Sequence, residues 1–119
     1  ADFTASAHYA RIIAGKILKT GLPESTLLNV NFPDIALKKI KGIKICRQAR
    51  AKWEEEFDER LDPYRKPYYW LTGKFKNYDK GVDTDEWALQ NNYVSVVPVQ
   101  YDLTAHHAFQ HLNLIRWDV

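Results

Sequence analysis

The sequence predicts a mixed α/β fold. Three observations carry that reading. Residues 2–19 show apolar side chains at helical steps, residues 26–32 and 93–99 show strand-type runs, and the full order is helix, strand, strand, hairpin, helix, strand, helix. That order is more than a helical bundle and less than a complete doubly wound sheet.

The first helix is expected over residues 2–19. Tyr9, Ile12, Ile13 and Ile17 form one apolar face, and Ala5, Ala7, Ala10 and Ala14 favour helix and close packing. Lys16 and Lys19 suit the negative end of the dipole, and Gly21 is the stop signal. After a turn at Leu22-Pro23-Glu24-Ser25, residues 26–32 alternate Leu28, Val30 and Phe32 with Asn29 and Asn31, as a half-buried strand does. Pro33-Asp34 ends it, and Gly42 introduces a second strand over residues 43–47.

Charges and aromatics crowd residues 47–76. Asp62-Pro63 to Lys66-Pro67 reads as a turn between residues 52–61 and 68–72, which makes a hairpin, although Glu54-Glu55-Glu56 also suits a helix. Asp83 to Glu86 supplies caps and first-turn acids for a short helix ending near Asn91-Asn92. Residues 93–99 are the most strand-like run, with Pro98 placing its last part at an edge or exit. A last helix is expected over residues 102–115, with Leu103, Phe109, Leu112 and Ile115 on one face.

Composition narrows the function classes. With 17 Lys plus Arg against 15 Asp plus Glu, the formal charge is only +2, so no concentrated basic stripe argues for nucleic acid. The 45% hydrophobic content is globular rather than disordered. No apolar run is long enough for a membrane span and no signal peptide is visible, so the expected compartment is the cytoplasm. The chain contains no Met, even at its first position, as a piece of something longer would. The single Cys46 excludes an internal disulfide and any multi-thiolate zinc site, and its strand-like flank favours a packed, inert thiol. Neither a dinucleotide-binding glycine motif nor a P-loop occurs.

Few residues recommend themselves for chemistry. His107 and His111 stand four apart but lack further ligands. Asp102 and His106 are also four apart, a spacing that suits a local ion pair directing the last helix. The acidic run Glu54 to Glu59 reads as a solvated face with Lys52, Arg50 and Arg60 nearby, and Asp79, Asp83 and Asp85 read as helix-capping acids. The stretch Tyr64-Arg65-Lys66-Pro67-Tyr68-Tyr69-Trp70 carries residue types that stack bases, and the same types mark protein interfaces. An extended aromatic hairpin cannot bury both faces in a chain this short, so an assembly arm is the preferred reading. A stand-alone protein-interaction module and, after it, a single-stranded nucleic-acid binder are the alternatives.

Several blocks, in order, resemble the C-terminal half of the SurE family, the survival-protein 5'/3'-nucleotidases. They are Asp2-Phe3-Thr4-Ala5, Leu22-Pro23, Thr26-Leu27-Leu28-Asn29-Val30-Asn31-Phe32-Pro33-Asp34, Ile40-Lys41-Gly42-Ile43, Arg47-Gln48, Asp62-Pro63 with Pro67-Tyr68-Tyr69-Trp70, Asp83-Thr84-Asp85, Tyr93 to Val99, and Asp102-Leu103-Thr104-Ala105-His106. The chain departs from the family pattern where Ala49 follows Arg-Gln, where Tyr64-Arg65 lacks a common glycine, and where Asn92 replaces one.

The resemblance implies a three-layer α/β/α fold of which this chain supplies the C-terminal part, with an extended hairpin and a C-terminal helix. It implies hydrolysis of nucleoside monophosphates, short polyphosphate in some members, by a divalent cation (manganese or magnesium). The cation ligands are a paired-Asp motif, a Ser and an Asn of the N-terminal half, so no catalytic residue and no metal ligand carries over to this chain. It also implies a homo-oligomer, dimer or tetramer, with no membrane and no stable nucleic-acid partner. The arm would span residues 50–72 with Tyr64, Tyr68, Tyr69 and Trp70. The exchanged tail would span residues 102–117, with Asp102 and His106 at its hinge.

Overall fold

The computed structural model describes residues 1–118. Its elements are α1 (Thr4–Thr20), β1 (Thr26–Asn31), a 3-10 turn (Leu37–Lys39), β2 (Gly42–Ile45), β3 (Ala51–Leu61), β4 (Pro67–Asn77), α2 (Asp85–Gln90), β5 (Tyr93–Gln100), a second 3-10 turn (His106–Ala108) and α3 (Phe109–Asn113). The predicted α/β class stands. Among the described residues no helix is long and apolar enough to cross a membrane.

The helix α1 begins two residues later than expected, because the Asp2 carboxylate accepts from both the Thr4 backbone N–H and its hydroxyl. Gly21, with φ 71°, closes it. Tyr9, Ile12, Ile13 and Ile17 are all half-buried, the apolar face the spacing predicts.

A three-stranded sheet has the order β1-β5-β2, with β5 antiparallel to β1 and parallel to β2. The most strand-like run of the sequence is thus the central strand. Pro98 is nonetheless tolerated there, because β2 ends at Ile45 opposite Val96 and Pro98 faces only Leu28 of β1. Val94 and Ser95 are fully buried, and Cys46, Ala88 and Val97 form a small core with α2. Lys44 reinforces that layer, its Nζ lying 4.7 Å from the ring centres of both Trp87 and Tyr93. The second strand is shorter than residues 43–47. Beyond Ile45 the Cys46 N–H still bonds Val96, but Arg47 leaves for a parallel bridge to Thr84.

The hairpin β3–β4 stands apart from this body as a separate two-stranded sheet. Its strands of 11 residues reach roughly 35 Å at the usual rise per residue. The Cα radius of gyration is 21.0 Å, against about 13–14 Å for a compact chain of this length. The projecting arm and the tail account for that excess.

Two boundaries differ from expectation. The hairpin was expected over residues 50–72, yet β4 runs to Asn77. Pairing continues through Gly73, where the Trp53 indole lies across the strand and a Cβ would also come within 2.8 Å of the Glu54 carbonyl oxygen. The expected last helix over residues 102–115 reduces to the 3-10 turn and five residues of α3. Leu103 and Leu114 are largely exposed, and a helix with no packed face gains too little to propagate.

Candidate functional site

A network of charged hydrogen bonds lies where the hairpin joins the body. Arg47 closes it. Its Nη1 and Nη2 donate to the two Asp79 oxygens at 2.7 and 2.9 Å, and its Nε donates to both Asp83 oxygens at 3.0 Å. Asp79 also accepts the backbone N–H groups of Arg50 (3.0 Å) and Gly81 (2.9 Å). The Arg47 guanidinium, followed by these backbone donors, holds the Asp79 carboxyl well below the ordinary carboxylate range. Asp79 and then Asp83 in turn raise Arg47. The lack of a Cβ at Gly81 leaves room for the cluster, since a Cβ would collide with the Arg47 guanidinium as now placed and sit 2.7 Å from Asp83 Oδ1.

The three acids expected to cap a helix therefore divide their roles. Asp79 and Asp83 bind Arg47. Thr84 is the N-cap of α2, its hydroxyl accepting from the Trp87 N–H at 3.1 Å. Asp85 accepts from the Ala49 and Glu86 N–H groups. Sequence reasoning did not find Arg47, because its partners lie 32 and 36 residues away; only the odd excess of acids before so short a helix hinted at it.

Register sorts the hairpin into two faces. Trp53 opposite Phe75, Phe57 opposite Leu71 and Leu61 opposite Pro67 make one face apolar, with Glu55, Glu59 and Tyr69 among them. The opposite face carries ion pairs: Lys76 with Glu54 at 2.7 Å, Arg60 with Asp58 at 3.1 Å and Lys74 with Glu56 at 3.9 Å. Lys76 lowers the pKa of Glu54, and Glu54 raises that of Lys76. Strand alternation thus gives Glu54, Glu56 and Asp58 cationic partners and leaves Glu55 and Glu59 on the other face.

Tyr64, Tyr68, Tyr69 and Trp70 all lie at the outer half of the arm and are exposed, but they do not share a face. Tyr69 belongs to the apolar face. Tyr68 and Trp70 belong to the charged face, where Arg60 lies 6.0 Å from the Trp70 ring centre. Tyr64 sits at the tip, where Asp62 accepts from the Tyr64 and Lys66 N–H groups and Arg65 takes φ 63°.

Beyond β5, Asp102 and His106 meet as the spacing predicts, His106 Nε2 lying 2.8 Å from Asp102 Oδ2. The other oxygen, Oδ1, accepts from the Thr104 N–H at 3.0 Å. The His106 hydrogen bond, then Thr104, lowers the Asp102 pKa. The described residues do not fit a divalent cation. No three His, Cys, Asp or Glu side chains among them are gathered to hold one, and Asp79 is already filled by Arg47 and backbone donors.

The family model described as "Survival protein SurE" matches residues 1–55. The chain is 61% identical over 119 residues to the 5'-nucleotidase SurE of Flavobacterium psychrophilum, covering all of this chain and 46% of that protein. It is 58% identical over 113 residues to that of Flavobacterium johnsoniae, covering 95% of this chain and 44% of that protein. The crystal structure of the Sure protein from Aquifex aeolicus superposes with a TM-score of 0.72 at 38% identity, over 94% of this chain and 45% of that one. The chain thus spans slightly less than half the length of the curated relatives it matches. The segment order, the identity carried along the whole chain and the shared fold agree: the chain belongs to the SurE family and corresponds to the C-terminal part of its members.

Proposed function

We propose that the complete protein is a 5'-nucleotidase that hydrolyses nucleoside monophosphates, and that this segment completes its sheet and builds its oligomer. The observation that carries the reading is the 61% identity, over the entire chain, to a protein named 5'-nucleotidase SurE. In the reaction, water adds to phosphorus and the ester P–O bond breaks, releasing nucleoside and inorganic phosphate. The divalent cation of the reaction, manganese or magnesium, is held by residues outside this chain, and a cytoplasmic location goes with the same reading.

Two features support an assembly role. The hairpin projects an apolar face of Trp53, Phe57, Leu61, Leu71 and Phe75 that the body of the chain does not cover. The tail beyond Asp102 packs little of its own apolar surface, with Leu103 93% and Leu114 79% exposed. In this reading both elements bury their apolar side chains against further copies of the same protein, with the Asp102–His106 contact setting the exit direction of the tail. The test compares phosphate release by the full-length protein from a nucleoside 5'-monophosphate, its 3'-isomer and a non-nucleotide phosphomonoester, with mass measured in solution alongside. Turnover of the nucleotides by an oligomer is expected. A monomer without phosphomonoesterase activity would overturn the reading.

A further inference from the structure

The Arg47–Asp79 cluster borders an open concavity of about 610 Å³ walled by Arg47, Arg50, Tyr78, Asp79 and Lys80. We propose that this concavity is a binding subsite for a nucleoside monophosphate, with Arg50 and Lys80 taking phosphate oxygens and the exposed Tyr78 ring meeting the base. The inference rests on the nucleotidase reading for the identity of the ligand.

The charge arrangement comes first. Arg47, Arg50 and Lys80 wall the concavity with Asp79; the Arg47 guanidinium is taken up by Asp79 and Asp83, which leaves Arg50 and Lys80 as the free cations. The Asp79 charge is compensated by the Arg47 guanidinium and by the Arg50 and Gly81 N–H groups, which reduces its repulsion of an arriving anion. The Arg50 and Lys80 side chains make no ion pair or hydrogen bond among the described residues, whereas the cations on the charged face of the arm are matched by carboxylates. Arg50 and Lys80 therefore stand as free cations side by side on the wall of this hollow.

Preorganisation comes second. Asp79 fixes the backbone on both sides of the hollow, through the Arg50 N–H on one and the Gly81 N–H on the other, so the two free cations project from anchored chain. Such anchoring reduces the ordering cost of binding. Charged hydrogen bonds from Arg and Lys are the usual means of holding phosphate. The third element is Tyr78, which is 65% exposed, is paired with no other ring among the described residues, and offers an aromatic face beside the cations. Phosphate and aromatic base in one small ligand match cations and ring in one small hollow. A polymer would need a continuing basic track, and Asp83 and the charge-balanced arm do not provide one.

The test titrates the full-length protein with adenosine monophosphate, inorganic phosphate and adenosine by calorimetry, with a chelator present so that the ligand is not consumed. In the Arg50→Gln, Lys80→Gln double variant the dissociation constants of the nucleotide and of phosphate should each rise about tenfold or more, the loss expected for charged hydrogen bonds. Tyr78→Ala should weaken the nucleotide and adenosine but not phosphate. In steady state with cation restored, the double variant should raise KM with kcat within about twofold. These side chains are exposed, and an unchanged circular dichroism spectrum establishes that the variants fold. Unchanged dissociation constants and KM in folded variants would overturn the subsite while hydrolysis by the native protein still upheld the nucleotidase reading. Binding that is lost in the variants of a protein with no hydrolytic activity would uphold the subsite and overturn that reading. No binding to the native protein would overturn the subsite.

Discussion

Arg47 and Asp79 are joined twice, Nη1 to Oδ2 at 2.7 Å and Nη2 to Oδ1 at 2.9 Å, across 32 positions of sequence. All of β3 and β4 lies between them. The pair therefore clasps the arm at its base, and Asp83 holds the same guanidinium from the α2 side.

Asp79→Asn should free the base of the arm. It removes the charge and one of the acceptors that Arg47, Arg50 and Gly81 share. Limited proteolysis of the full-length protein should then cut near residues 47–51 or 77–81 markedly faster than in Lys52→Ala, which disturbs only an exposed ion pair. Equal cutting in both variants would contradict the clasp. The pH dependence has a definite sign. The folded Asp79 carboxyl titrates below its ordinary 3.8, so its contribution is complete above that value and is lost as pH falls toward the depressed folded value. Acid melts of native protein should lose stability over that interval, and Asp79→Asn should lose less.

Thr84→Ala should destabilise α2. The hydroxyl caps Trp87 and donates to the Gly81 carbonyl at 3.2 Å, and losing such a cap costs about 1–2 kcal/mol. A urea melt reads it directly. Thr84→Ser retains the hydroxyl and should restore most of the loss.

Arg65→Gly should stabilise the tip of the arm. Arg65 holds φ 63°, and glycine adopts that region without a Cβ penalty, for a gain of about 0.5–1 kcal/mol. Asn92, at φ 67°, is a residue type that tolerates the left-handed region, so Asn92→Gly should change stability less. A larger gain at Asn92 would contradict the argument.

Ser95→Ala should be neutral or stabilising by up to about 1 kcal/mol, because its hydroxyl is buried without a partner. Val94→Ala beside it should cost about 2–3 kcal/mol, since Val94 is wholly buried. Thermal melts of the two variants should therefore diverge in sign or nearly so.

Asp102→Ala and His106→Ala should each alter assembly. Both remove the 2.8 Å contact proposed to direct the tail. Light scattering of the full-length variants should show a changed oligomer or a mixture of sizes, and unchanged size in both would remove the hinge role. The Asp102 carboxyl is depressed from its ordinary 3.8, so its contribution is present above that value and is lost on acidification below it.

Much of this architecture is legible in the residues. The helical spacing of Tyr9, Ile12, Ile13 and Ile17, the alternation through Leu28 and Val30, and the Val-rich run of β5 are local signals that local physics obeys. The Asp102–His106 contact is equally local. The hairpin runs five residues past residue 72 because cross-strand contacts, such as the Trp53 indole over Gly73, extend the pairing to Asn77. The last helix was expected too long because its apolar residues imply a face to pack, and among the described residues that face stays largely exposed. The aromatic group Tyr64, Tyr68, Tyr69 and Trp70 was read as one unit, yet strand alternation divides it between two faces. Arg47 and the hollow beside it were hidden because they exist only once β2, β4 and α2 are brought together.

The most direct measurement is the initial rate of phosphate release from adenosine monophosphate by the full-length protein, with manganese or magnesium present and again after chelation. The account predicts release that stops on chelation and returns when the cation is restored. No release under either cation, from protein shown to be folded, would contradict it.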